Sequence, residues 1–123
     1  MKFSRIDHVA IEVSSLKRST VFYERNFGFE KYAGNTTPGG VEIAYLRLGD
    51  TVLELVGRPP EAMKGFHFCL VCDDFDGAVD ALRRSGAPIV TEPHPTAARE
   101  PLEEGWRRVV FAGPDGEQIE IRG

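Results

Sequence analysis

RIDHVAIEV, residues 5–13, decides the fold. Ile6, Val9, Ile11 and Val13 give it strong β character, and it reads as a strand over Arg5–Val13. A histidine nevertheless stands at position 8, inside a run otherwise suited to burial. The next segment, SSLKRSTVFYERNFG, reads as a helix. Leu16, Thr20, Tyr23 and Phe27 recur at helical spacing, Ser14 or Ser15 can cap the start, and Gly28 can end it. FEKYAG and then VEIAYLRLGDTVLELVG follow. The Gly49-Asp50 pair predicts a tight hairpin between strands Val41–Leu48 and Thr51–Val56. RPPEAMKG is a proline-rich connector.

The pattern then starts again. Phe66–Cys72 is a strand and DDFDGAVDALRRSG a helix. Asp73 or Asp74 caps that helix, Phe75, Ala78, Val79 and Leu82 form its apolar stripe, and Gly86 ends it. Arg83 and Arg84 suit the negative end of its dipole. PIVTEP, WRRVVFAG and EQIEIRG supply three more strands, the last two joined by the turn PDG. Leu16 corresponds to Phe75 and Tyr23 to Leu82, each 59 apart (75 − 16; 82 − 23), and the same offset carries His8 onto His67. An internal repeat of about 60 residues, present twice, is no solenoid. It predicts one α+β domain of two tandem βαβββ modules, forming a pseudo-two-fold, cup-shaped, mostly antiparallel sheet. Module one covers about 1–58, the connector about 59–65 and module two about 66–123.

The bulk numbers exclude several classes. A chain of 123 residues with 41% hydrophobic and 28% charged residues is an ordinary globular domain. A net charge of −4 argues against a nucleic-acid or anionic-membrane binder. No apolar run approaches the roughly 20 residues of a membrane span, and MKFSRIDH has no signal-peptide core, so a cytoplasmic protein is expected. Cys69 and Cys72 in CLVC have redox or zinc spacing. On a strand, however, residues three apart face opposite sides with Cα atoms roughly 10 Å apart, too far for a disulfide. No second cysteine pair completes a zinc site, so buried structural thiols are expected.

A lone strand histidine or glutamate is ordinarily a core or surface residue. Here the repeat couples them. His8 and His67 open the first strand of each module, and Glu54 in VLELV and Glu120 in QIEIR lie in the fourth. If the modules pair, all four can point into one cavity. Two carboxylates there repel and lose hydration, and their strand neighbours offer little help. A divalent cation cancels both charges and accepts both imidazoles. The donor set suits Ni, Co, Fe, Mn or Zn, leaves two octahedral places for water or substrate, and favours Lewis-acid over oxygen chemistry.

Over essentially the whole chain, the duplicated pattern with IDHVAIEV, FYERNFGFE, GFHFCLVCDD and GPDGEQIEI resembles the vicinal oxygen chelate superfamily. That superfamily includes glyoxalase I, methylmalonyl-CoA epimerase, extradiol dioxygenases, fosfomycin-resistance thiol transferases and bleomycin-binding proteins. The resemblance implies metal ligands at His8, Glu54, His67 and Glu120, a set similar to that of bacterial glyoxalase I. It further implies that Glu120 and Glu54 act as bases, that the substrate is a small molecule with vicinal oxygens, and that the protein is a homodimer. The expected function is a metal-dependent lyase or isomerase acting through an enediolate. The alternatives are a methylmalonyl-CoA epimerase-like enzyme, an antibiotic thiol transferase, or a non-catalytic small-molecule binding or resistance protein. The positions that would bind glutathione carry Glu12 and Arg58, which depart from the glyoxalase I pattern. NTTPGGV lacks the acid that epimerases carry before the third strand. HPTAAREPLEEG (94–105) is read as a flexible connector rather than a pocket rim, and His94 within it has no repeat partner. Arg107 and Arg108 are candidates for a substrate anion, with solvation or cross-strand pairing preferred. Tyr45, Phe66, Phe68 and Trp106 are read as core or dimer contacts.

Overall fold

A computed structural model describes residue 2 and residues 4–61 and 65–123. The middle of the connector, residues 62–64, therefore lies outside the described residues. The chain divides into two compact units, 1–62 and 63–123. Each contains one strand, one helix and three further strands in that order, as the repeat requires.

The first unit comprises β1 (Val9–Val13), α1 (Leu16–Phe27), β2 (Glu30–Thr36), β3 (Glu42–Leu48) and β4 (Thr51–Gly57). Its sheet order is β1-β4-β3-β2, with β1 parallel to β4 and the other pairs antiparallel. Side chains alternate across a strand, so register fixes what faces the helix. Leu53 and Leu55 share a buried face with Ile11, Val13, Ala44 and Leu46. Helix α1 packs on β3 and β4, and its Tyr23 is fully buried with the Phe29 ring edge-on at 5.7 Å. Ser15 caps α1 by accepting from the Arg18 amide at 3.2 Å. Gly28 closes it in the left-handed region at φ 75°, where a Cβ would be strained.

The second unit comprises β5 (Phe68–Val71), α2 (Phe75–Ser85), β6 (Ile89–Pro95), a 3₁₀ turn (Pro101–Glu103), β7 (Arg107–Ala112) and β8 (Gln118–Arg122). Its order, β5-β8-β7-β6, repeats that of the first unit, again with one parallel pair. Asp74 caps α2 through the Gly77 amide at 3.0 Å, and Phe75, Val79 and Leu82 are its buried stripe. Strand β8 differs from its counterpart in being buried on both faces: Ile119 and Ile121 on one, Glu120 and Arg122 on the other.

Two expectations need correction. The strand predicted over Arg5–Val13 begins only at Val9, and the one over Phe66–Cys72 only at Phe68. His8 and His67 therefore sit just before their strands, because β4 and β8 pair with β1 and β5 from Val9 and Phe68 onward. The cysteines are free, as expected, but not buried. Cys69 is exposed and Cys72 half-buried, since β5 is a sheet-edge strand of its unit.

Candidate functional site

In the first unit, β4 carries Glu54 on the face opposite the Leu53/Leu55 core. Ala10 is its register partner on β1, and His8 lies two residues earlier on that same side. His8 Nε2 stands 3.1 Å from Glu54 Oε2, and Glu54 keeps only 12% of its side chain exposed. The second unit reproduces this. Cys69 is the register partner of Glu120, and His67 Nε2 lies 3.2 Å from Glu120 Oε2. Two ligands about 2.1 Å from one ion and at right angles are about 3.0 Å apart, so each pair has the spacing of one edge of an octahedral site. The same spacing suits a hydrogen bond. Among the described residues, no three His, Cys, Asp or Glu side chains gather closely enough to hold an ion. The structure thus brings the expected donors together in twos, one imidazole and one carboxylate per unit.

The two pairs are dressed differently. Behind His8, Asp7 Oδ2 lies 3.0 Å from Nδ1. That hydrogen bond raises His8 above the ordinary imidazole range against partial desolvation, and the Glu54 charge adds to it. A carboxylate on the far nitrogen fixes the ring and its tautomer for a ligand at Nε2. Asp7 was not singled out from the sequence. The repeat offered no echo, because position 66 is Phe.

Glu120 has a different supporter. Arg108 Nε donates to Glu120 Oε1 at 2.6 Å. Val110 is the register partner of Glu120, so Arg108 reaches it diagonally across the sheet. Glu120 thus has more support than the little help expected of its strand neighbours, through the cross-strand pairing preferred for these arginines. Arg108 also donates to His94 Nε2 at 3.0 Å, while His94 Nδ1 donates to the Pro95 carbonyl at 2.8 Å. Both ring nitrogens of His94 are thereby occupied. Arg107 pairs with Asp76 at 2.9 Å, so both arginines are tied within the unit.

Around His67 and Glu120 opens a cleft of about 490 Å³, whose walls include Cys69, Thr96, Arg99 and Arg122. Partial burial in this cleft and the Glu120 charge push the Cys69 thiol up to about 11, so it stays protonated near neutrality. Segment 94–105 proves to be a rim and not a loose connector. It turns through Pro101–Glu103, and Glu103, 1% exposed, accepts from the Arg99 backbone and guanidinium and from Arg122 at 3.3 Å. Arg99 holds the Glu103 carboxyl down at about 2. In the first unit, Arg58 and Glu12 form an ion pair with each other.

Residues 5–121 match the family model of the Glyoxalase/Bleomycin resistance protein/Dioxygenase superfamily. The chain belongs to this superfamily. Among relatives of this superfamily member, an uncharacterized protein of Bacillus subtilis (strain 168), YwbC, is 32% identical over 95% of both chains. Solved structures share the fold. TnmS3, an antibiotic binding protein from Streptomyces sp. CB03234, is 25% identical with a TM-score of 0.78, covering 98% of this chain and 96% of that one. A variant of the fosfomycin resistance protein FosX from Listeria monocytogenes, complexed with Mn(II) and a dihydroxypropylphosphonic acid, gives a TM-score of 0.79 at 13% identity, covering 98% and 92%. Membership supports a metal-dependent function of the vicinal oxygen chelate type. No helix among the described residues is long and apolar enough to cross a membrane.

Proposed function

We propose that this protein is a divalent-metal-dependent lyase or isomerase of glyoxalase I type, with His8, Glu54, His67 and Glu120 as the metal ligands. The observation that carries this is the repeated pair: an imidazole Nε2 and a carboxylate Oε2 at 3.1 and 3.2 Å, from equivalent places in both units. A bound cation supplies Lewis-acid stabilisation of negative charge on a substrate's paired oxygens. The protein's own groups divide the remaining work. Glu120 has Oε1 held by Arg108 and Oε2 beside His67, which suits a fixed ligand. Glu54 shares only Oε2, with His8, among the described contacts. Its Oε1 is the better placed to take a proton from a substrate carbon and return it. The Glu12–Arg58 pair occupies the positions that would read glutathione, and this favours a substrate that is not a glutathione adduct. A homodimer in the cytoplasm completes the reading.

The test is exchange of a substrate C–H proton with deuterated solvent, across hemithioacetals and acyl-CoA thioesters, with Ni²⁺, Co²⁺, Mn²⁺ or Zn²⁺ restored to stripped protein. Metal-dependent exchange that Glu54→Gln abolishes is expected. A second reading, sequestration without turnover, is favoured by the Arg108 counter-charge on Glu120 and by the likeness to an antibiotic binding protein. Ligand binding with no exchange under any metal would establish that reading instead.

A further inference from the structure

The charges around the second unit's cleft do not balance. Arg108 is matched by Glu120 at 2.6 Å. Arg99 and Arg122, both on the cleft wall, form their ion pairs among the described residues with one carboxylate, Glu103. Arg122 is the more telling of the two. It is 8% exposed, reaches Glu103 only at a long 3.3 Å, and donates to the Ala97 carbonyl at 3.1 Å. Its buried Nε has no hydrogen-bond partner among the described residues. A buried guanidinium with an unmatched donor and half a counter-ion is an uncommon arrangement, because buried cations are normally paired and saturated. Arg99, with 73% of its side chain exposed, lies on the accessible wall of the same cleft. A planar fork of donors on each arginine suits an oxyanion.

We infer that this cleft holds an anion subsite, in which Arg99 and Arg122 bind the carboxylate or phosphate-like group of a small ligand beside His67 and Glu120. A cleft of about 490 Å³ accommodates such a ligand. The subsite gives the substrate class as small oxyacids. As a substrate anchor it rests on the function proposed above. As an anion site it is measured without metal, so the two readings can fail separately.

The experiment is a calorimetric titration of metal-stripped protein with inorganic phosphate and, separately, with acetate, at constant ionic strength. Saturable binding of one anion per chain is expected, weakened about tenfold in Arg99→Gln. Arg122→Lys, which keeps the charge but loses the fork, should weaken it less than Arg99→Gln combined with Arg122→Lys. Glu103→Gln raises the surplus charge and should tighten binding. Arg83→Gln, which removes an exposed partner of Glu92 outside the cleft, should leave it unchanged. Preference for phosphate or for acetate then selects the oxyanion. Absence of saturable binding, or equal weakening by Arg83→Gln and Arg99→Gln, overturns the subsite whatever the metal titration shows.

Discussion

Asp7 touches no expected substrate position, yet it holds the ring that Glu54 faces, at 3.0 Å from His8 Nδ1. Carboxylates behind a ligating histidine typically carry 10–100-fold of metal affinity. Asp7→Asn should therefore weaken Ni²⁺ or Co²⁺ binding by about 10–100-fold in calorimetry while leaving the thermal midpoint nearly unchanged, since Asp7 is exposed. Glu103 offers a second test at this scale. Its carboxyl titrates at about 2 in the folded protein, against 4.5 unperturbed, so folding favours its ionised form. That contribution is fully present above about pH 4.5 and is lost as pH falls through about 2. Wild type should lose stability over this window relative to Glu103→Gln, which has no carboxyl to protonate. Urea midpoints at stepped pH would show the difference shrinking on acidification. A constant difference would mean that the Arg99 contact does not couple to folding. Both residues were hard to read from sequence. Asp7 has no counterpart in the second half, and Glu103 acts through a rim whose path over β8 is set by contacts distant along the chain.

At the scale of elements, the alternation along β4 separates stability from chemistry. Leu55 is fully buried under α1, and Glu54, its neighbour, points the other way. Leu55→Ala should cost about 2–5 kcal/mol in chemical denaturation. Glu54→Gln should cost far less and remove metal binding. The helix caps are similarly separable from the site. Ser15→Ala and Asp74→Ala each remove a side-chain acceptor from an exposed first turn, and each should cost about 1 kcal/mol with metal affinity retained. These elements were legible because their signals are local: Ser15 and Asp74 before an apolar stripe, Gly28 and Gly86 after it, and Gly49-Asp50 between alternating runs. The two imidazole–carboxylate pairs, His8–Glu54 and His67–Glu120, were legible because the repeat made each histidine and glutamate a witness for the other. The Arg108 links were not. They depend on cross-strand register, and β6 shifts register against β7 between Ile89 and Thr91 and again before His94. Those irregularities bring His94 opposite Arg108, and no period in the sequence announces them.

At the scale of the whole chain, duplication has produced two units with one imidazole–carboxylate pair each, and the pairs are no longer alike. The first has a carboxylate behind its histidine; the second has a guanidinium beside its glutamate. Two donors make a weak site for a divalent ion, whereas four make a strong one with places to spare. The proposed function requires the strong case, and stoichiometry distinguishes it. Calorimetry of stripped protein should give one ion per chain, whether the four ligands come from one chain or from two chains of a dimer. His8→Ala and His67→Ala should each weaken binding by at least about 100-fold, since a donor that acts within one shared coordination shell is lost to every other donor. The double variant should lose less than the two single losses combined, because the first substitution has already weakened the shared shell. Independent sites give the opposite pattern: two ions per chain in wild type, one in each single variant, none in the double. That outcome would leave each unit with its own weak site and remove the basis for a single Lewis-acid centre.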